Sequence, residues 1–349
     1  MKPIRRSALL AVAVLLAASA LPQRPAQAQF GGISVPGIDP KRVAIGAAAK
    51  QLGPYIVEQT PIKLDPVELY PRVDRLPGAP FAPASGLDQT KTANAIVEQL
   101  RHSSSGTVTL APGDYAVSVR LYCMSHSRPG RAPLAFILGP MRGKRAPAVV
   151  AMNSRAAASS YQFSQIQITS WTIQGGLGFA DFTSTPRSVV GALIPDFESS
   201  LSVSTLDEIQ NKWSSLSNAI PGAPSLDDVL GQTGAAGQVV LELRDERAQL
   251  LGAASDYDSL RRSFAPFQTS DIAALPTPWS VVNQNVTMRM ITQGHYGDLG
   301  SVQIRVIGPG NADVPLVSSL GYPRCQPNIV TQGSAYTCAQ PLSFVPQKG

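Results

Sequence analysis

Tyr115-Ala116-Val117-Ser118-Val119-Arg120-Leu121-Tyr122-Cys123 is the stretch on which the fold turns. Tyr115, Val117, Val119 and Leu121 fall on one side and alternate with the residues between them, the period of a half-buried strand. Pro112-Gly113-Asp114 in front of it reads as a turn, and Thr107 to Leu110 as a shorter strand. Upstream, Thr90 to Leu100 places Ala93, Ile96, Val97 and Leu100 at helical spacing. Downstream, Pro147 to Ala158 reads as a helix with its proline early, where the missing N–H does no harm. Ser164 to Gln174 reads as another, with Ser164 as its cap and Gly175-Gly176 as its stop. The sequence therefore predicts an α+β fold, in which a sheet carrying Cys123 packs against these helices.

Farther out, residues 188–266 are helical in pattern. Thr205-Leu206-Asp207-Glu208 has a capping-box sequence, and Leu206, Ile209, Trp213, Leu216 and Ile220 share a helix face behind it. Gln238 to Leu251 and Tyr257 to Phe264 read as further helices. Residues 267–349 change character: Trp279 to Ile291 and Val302 to Ile307 alternate around a Gly294–Gly300 turn, which predicts a small β-rich C-terminal module. Residues 29–88 are proline-rich and read as an irregular lead-in holding one short helix from Pro40 to Leu52. The segment 89–187 is then the central α+β domain.

The N-terminus has Lys2, Arg5 and Arg6, then an apolar run from Ala8 to Ala20, then Ala26-Gln27-Ala28. Basic, apolar and small-x-small is the layout of a secretory signal peptide over residues 1–28. The run is too short to span a bilayer, which takes about 20 residues, and no later stretch is apolar enough. Cleavage would leave a secreted, surface or periplasmic chain with no membrane span. Lys2, Arg5, Arg6 and Arg24 go with the leader and no acid does, so the net charge falls from +6 to +2. That charge carries no argument for nucleic acid. With 29 glycines, 30 prolines and 15% charged residues, the composition suits a loop-rich exported protein.

Export puts the three cysteines in an oxidising compartment. Cys325 and Cys338 lie in a turn-rich stretch, and a local disulfide between them is the economical reading. Cys123 is then odd: a buried inert residue, an intermolecular link or a reactive one. Gln167 is a candidate partner. It stands four residues before Trp171, on a helix face whose apolar neighbours Phe163, Ile166 and Trp171 predict burial. A cysteine and a glutamine held together in a dry site can condense to a thioester, with proximity supplying most of the rate. Such a bond is a masked electrophile that an amine can open.

Leu121-Tyr122-Cys123-Met124, followed by Ile166-Gln167-Ile168-Thr169-Ser170-Trp171-Thr172-Ile173, resembles the pattern of bacterial surface thioester domains. That resemblance implies a Cys123–Gln167 bond, with Tyr122, Trp171 and His126 as supporting residues, that captures an amine on a host surface or a protein partner. The sequence departs from the usual pattern at Ile166, Thr169 and Ser170. Residues 105–310, with the segment Leu138 to Arg145, also resemble a group of exported Gram-negative proteins without an assigned function.

Other chemistry is thinly supported. Cys123 and His126 form Cys-x-x-His, but three histidines in the whole chain leave a zinc site of about four ligands hard to complete. A cysteine hydrolase using Cys123 with His126, His102 or His295 lacks a signature. No cofactor motif is present: Gly175-Gly176-Leu177-Gly178 has no strand before it and no Lys-Ser/Thr after it. The residues leave three functions open. These are an exported non-enzymatic protein with an internal thioester, a structural or assembly component of a cell envelope or secretion system, and a cysteine hydrolase. Oligomeric state is not legible.

Overall fold

A computed structural model describes residues 40–64, 68–76, 78–124, 130–131, 135–218, 223–253, 256–264, 267–268, 277–292, 297–323 and 342–349. The leader, His126, His295, Ile220, Cys325 and Cys338 lie outside them. The element order begins α1 (Pro40–Gln59), β1 (Arg72–Val73), α2 (Gly86–Arg101), β2 (Val108–Leu110), β3 (Gly113–Cys123), β4 (Gly130–Arg131) and β5 (Phe136–Pro140). Helices α3 (Ala146–Ala156), α4 (Phe163–Gln174), α5 (Ser184–Leu193), α6 (Thr205–Ser217), α7 (Leu226–Leu230), α8 (Ala235–Gly252) and α9 (Tyr257–Phe264) follow. The chain closes with β6 (Phe267–Gln268), β7 (Trp279–Asn283), β8 (Val286–Thr292), β9 (Leu299–Val306), β10 (Ala312–Val314), β11 (Ser319–Pro323) and β12 (Leu342–Pro346). This is an α+β fold, a large antiparallel sheet packed against helices.

The main sheet has the order β1-β7-β8-β9-β3-β12-β11-β5. Strand β3 lies near its middle, paired antiparallel with β9 on one side and β12 on the other. The β-rich C-terminal segment is therefore not a separate sheet. Strands from residues 267–349 flank the very strand that carries Cys123. Trp279 to Ile291 is also not one strand: Asn283 opens a tight turn, its side chain accepting from Asn285 N–H at 2.9 Å, and β7 pairs back on β8.

The sheet rolls on itself until its edges nearly meet. Leu138 N–H of β5 donates to Ser280 Oγ of β7 at 3.0 Å. Tyr70 N–H donates to Leu138 C=O at 3.0 Å, and Val281 N–H to Pro71 C=O at 2.6 Å, so the chain before β1 stitches the two edges together. Register places Val117, Val302 and Met290 side by side on the inner face, and alternation adds Val119, Leu121 and Ile304. Gly321 leaves room here for Met290, whose Cε would lie 2.5 Å from a Cβ at this position. The opposite face of β3 and β12 meets α3 and α4: Asn153 Nδ2 donates to Ser343 Oγ at 3.2 Å, and Tyr122 packs on Phe163.

A second, smaller core joins α1, α6, α7 and α8 through Leu52, Ile56, Ile209, Trp213, Val229 and Val240. The short helix expected from Pro40 to Leu52 continues through Pro54 to Gln59. The reason is packing: Leu52 and Ile56, on either side of Pro54, are both fully buried in this core. Other boundaries shift by a few residues. Helix α2 starts at Gly86, α8 at Ala235, and α6 takes Ser204 as its cap, whose Oγ accepts from Asp207 N–H at 3.1 Å. Among the described residues, no helix is long and apolar enough to cross a membrane.

Candidate functional site

Strand β3 carries Cys123 at its last position. On the β12 side Cys123 is opposite Leu342. On the β9 side Leu121 N–H donates to Asp298 C=O at 3.2 Å, and its C=O accepts from Gly297 N–H at 2.7 Å. Two residues on, the same edge of β3 presents the N–H and C=O of Cys123. Buried there, both groups need partners.

Gln167 supplies them. Cys123 N–H donates to Gln167 Oε1 at 2.8 Å, and Gln167 Nε2 donates to Cys123 C=O at 3.0 Å. The carboxamide, which is a peptide group at the end of a side chain, continues the ladder where the next backbone peptide would sit. Both residues are 0% exposed. Helix α4 brings Gln167 to this position by burying every residue from Ile166 to Gln174. Its cap is Gln162 rather than Ser164, with a reciprocal Gln162–Gln165 capping box one turn below Gln167.

Tyr122, next to Cys123, points to the helix side of the sheet, its ring centroid 4.8 Å from that of Phe163. Burial pushes its phenol pKa well above the ordinary range, so the hydroxyl stays neutral. Phe163, Gln167 and Trp171 lie at four-residue intervals along α4 and so share a stripe. Tyr257 of α9 closes over this stripe, 6.0 Å edge-on to Phe163 and 6.0 Å from Trp171 in a near-parallel stack. The carboxamide thus emerges between two large rings.

Of the residues singled out from the sequence, Cys123, Gln167, Tyr122 and Trp171 belong to this cluster. His126 and the cysteines Cys325 and Cys338 lie outside the described residues. His102 is exposed just beyond α2. No group of three or more His, Cys, Asp or Glu that could hold a metal ion occurs among the described residues. Sequence reading missed Tyr257 as a member of the site, since nothing local ties it to a helix some ninety residues earlier. It also missed Gly297 and Asp298, which pair with Leu121 two residues before Cys123.

Two charged features lie elsewhere. Arg145 is buried at the start of α3, donating to Leu177 C=O and to Val203 C=O at 2.8 Å. Burial pulls its pKa down to about 10, against the pull of Glu208. A cleft of about 610 Å³ opens beside Lys63, Arg142 and Lys144. Arg142 meets Glu68 at 3.2 Å and Lys144 meets Glu208 at 2.6 Å, so these two cations are answered within the chain.

Chemically, the Cys123–Gln167 contact places an amide carbonyl against a backbone N–H donor, beside a residue bearing sulfur, in a site closed to water. A donor fixed on a carbonyl oxygen favours charge developing on that oxygen when a nucleophile adds. Comparison of the chain with protein-family models, with curated proteins and with solved structures finds no match.

Proposed function

We propose that this is an exported protein whose Cys123 and Gln167 condense to an internal thioester for covalent capture of an amine-bearing partner. The observation that carries the reading is the two-point contact of the Gln167 carboxamide with Cys123. Cys123 Sγ adds to Gln167 Cδ while Cys123 N–H holds Oε1. The Sγ–Cδ bond forms, the Cδ–Nε2 bond breaks, and the thiol proton leaves with the amide nitrogen as ammonia. No oxidant is consumed. Capture reverses the logic: a primary amine adds to Cδ, an amide forms, and the sulfur departs as a thiolate that takes up the amine's proton. Burial of both residues supports the long life such a bond needs, because water is kept out. The leader layout of residues 1–28 supports export to a periplasm, a cell surface or the medium.

The same two hydrogen bonds favour a second reading. The carboxamide satisfies the backbone at the end of β3, and that alone is a structural role, fitting an envelope or assembly component without covalent chemistry. Intact mass of the mature protein separates the two. The thioester predicts a chain lighter by one ammonia, which gains one methylamine on exposure to that amine. Cys123→Ala and Gln167→Ala would each remove both signatures. A full-mass wild-type chain inert to methylamine leaves the structural reading.

A further inference from the structure

A buried thioester must be reached before it can react, and the structure contains a candidate way in. Of the four rings named around the pair among the described residues, three sit on elements that cannot move alone. Tyr122 belongs to β3, which is paired on both sides, and Phe163 and Trp171 belong to the buried helix α4. The fourth, Tyr257, is on α9, an eight-residue helix. A helix this short does not hold itself together in water. Its place depends on the cap and on packing. Asp256 accepts from Asp258 N–H at 3.1 Å and from Ser259 Oγ at 2.6 Å, Leu260 is buried, and Tyr257 is half-buried against Trp171 and Phe163. Arg262 faces solvent and donates to Ser259 Oγ at 3.1 Å, while Arg261 is half-buried, 3.6 Å from Asp258. Of α3, α5 and α9, the helices packed on α4, α9 is the shortest, and local opening starts at such elements.

We propose that α9 is the removable cover of the Cys123–Gln167 pair, and that Tyr257 is the residue whose departure admits the attacking amine. This rests on the thioester reading above. With α9 in place, Tyr257 lies over the two rings that flank Gln167. When α9 lifts, Tyr257 leaves both rings together, and the face of α4 between Phe163 and Trp171 opens to solvent. The chemistry admitted is a primary amine on a flexible arm, such as a lysine side chain, because it must pass between these two rings. Capture is then limited by opening of α9 rather than by the amine's reactivity, and a protein partner that binds α9 would accelerate it.

The test uses the mature full-length chain and methylamine, followed by intact mass over time. Tyr257→Ala should take up methylamine about tenfold faster than wild type, the effect of losing two ring contacts on the closed state. Tyr257→Phe should stay close to wild type, because the rings and not the hydroxyl do the covering. Asp256→Ala, which frays the start of α9 and leaves all four rings intact, should be faster than wild type by a smaller factor. It carries the test if Tyr257→Ala does not fold. An ammonia-deficient mass in every variant, with the same uptake rate throughout, would overturn the cover while leaving the thioester. A full-mass wild-type chain that takes up no methylamine would overturn the thioester reading itself, and the cover with it.

Discussion

Helices α4 and α6 are almost the same length and are built in opposite ways. Helix α6 follows the amphipathic rule: Ile209 and Trp213 are buried, Leu206 and Leu216 are partly buried against the smaller core, and Gln210 faces solvent. Helix α4 has no solvent side along its length from Ile166 to Gln174, yet that stretch includes Gln167, Thr169, Ser170, Thr172 and Gln174. Most of those polar groups are spent locally: Thr169 on Gln165 C=O, Thr172 on Ile168 C=O, and Gln174 on Ser170. Gln167 alone among them reaches across to the sheet. A surface helix is held by its apolar stripe. A buried one that keeps a glutamine is held to one position by the hydrogen bonds that glutamine makes.

The comparison can be broken at matching positions. Gln167→Leu keeps the bulk and removes the carboxamide, and with it both hydrogen bonds to the buried backbone of Cys123. It should lower stability by about 3 kcal/mol, measured as a shift in the chemical denaturation midpoint. An effect below about 1 kcal/mol, within the worth of a single ordinary hydrogen bond, would mean that water or another group takes the place of the amide.

The next effect lies at the other end of the same strand. Asp114, at the start of β3, accepts from Arg305 Nε and Nη2 at 2.7 Å and from Ala82 N–H at 2.8 Å. The Arg305 hydrogen bonds hold the Asp114 carboxyl below its usual pKa, against the opposing effect of burial. A carboxylate depressed in the folded state contributes stability that is fully present above its unfolded pKa of about 3.9 and is lost as pH falls through the folded value. Asp114→Asn should cost about 2 kcal/mol at neutral pH. Its stability curve should converge on that of wild type as pH falls through the lowered folded-state pKa of Asp114. Parallel curves across that range would deny the ion pair a role.

On α6, Ser204→Ala removes one cap bond and should cost about 1 kcal/mol, read from the thermal midpoint. Gln210→Leu repeats the first substitution on an exposed face and should change stability by less than about 0.5 kcal/mol. If Gln167→Leu and Gln210→Leu proved equal, the contrast between the two helices would fail.

What could be read from the sequence follows the same division. Helix α9 lies at Tyr257–Phe264, as its pattern predicts, and α6 is legible from its stripe and cap because its burial is one-sided. The alternation of β3 is equally plain, since Val117, Val119 and Leu121 face one interior. The pairing of β3 with strands β9 and β12 is not written in either segment: that register comes from long-range packing, and the C-terminal strands look like a unit of their own. Helix α4 is recognisable as a helix, but its burial on all sides removes the period that would show where it faces. Gln167 stood out because a tryptophan follows it by one turn. Its use as a partner for the backbone of Cys123 depends on which edge β3 turns toward α4 two residues beyond Leu121. Nothing near Gln167 in the chain reports that.

The central claim concerns where the Gln167 carboxamide ends up, and the most direct measurement locates it. Mature wild-type protein is treated with methylamine, unfolded, alkylated at sulfur and sequenced by mass spectrometry. The thioester predicts one N-methyl amide at Gln167 together with one newly alkylatable sulfur at Cys123, in equal amounts, with neither appearing when methylamine is left out. An unmodified Gln167, with Cys123 alkylated to the same extent whether or not amine was present, would contradict it.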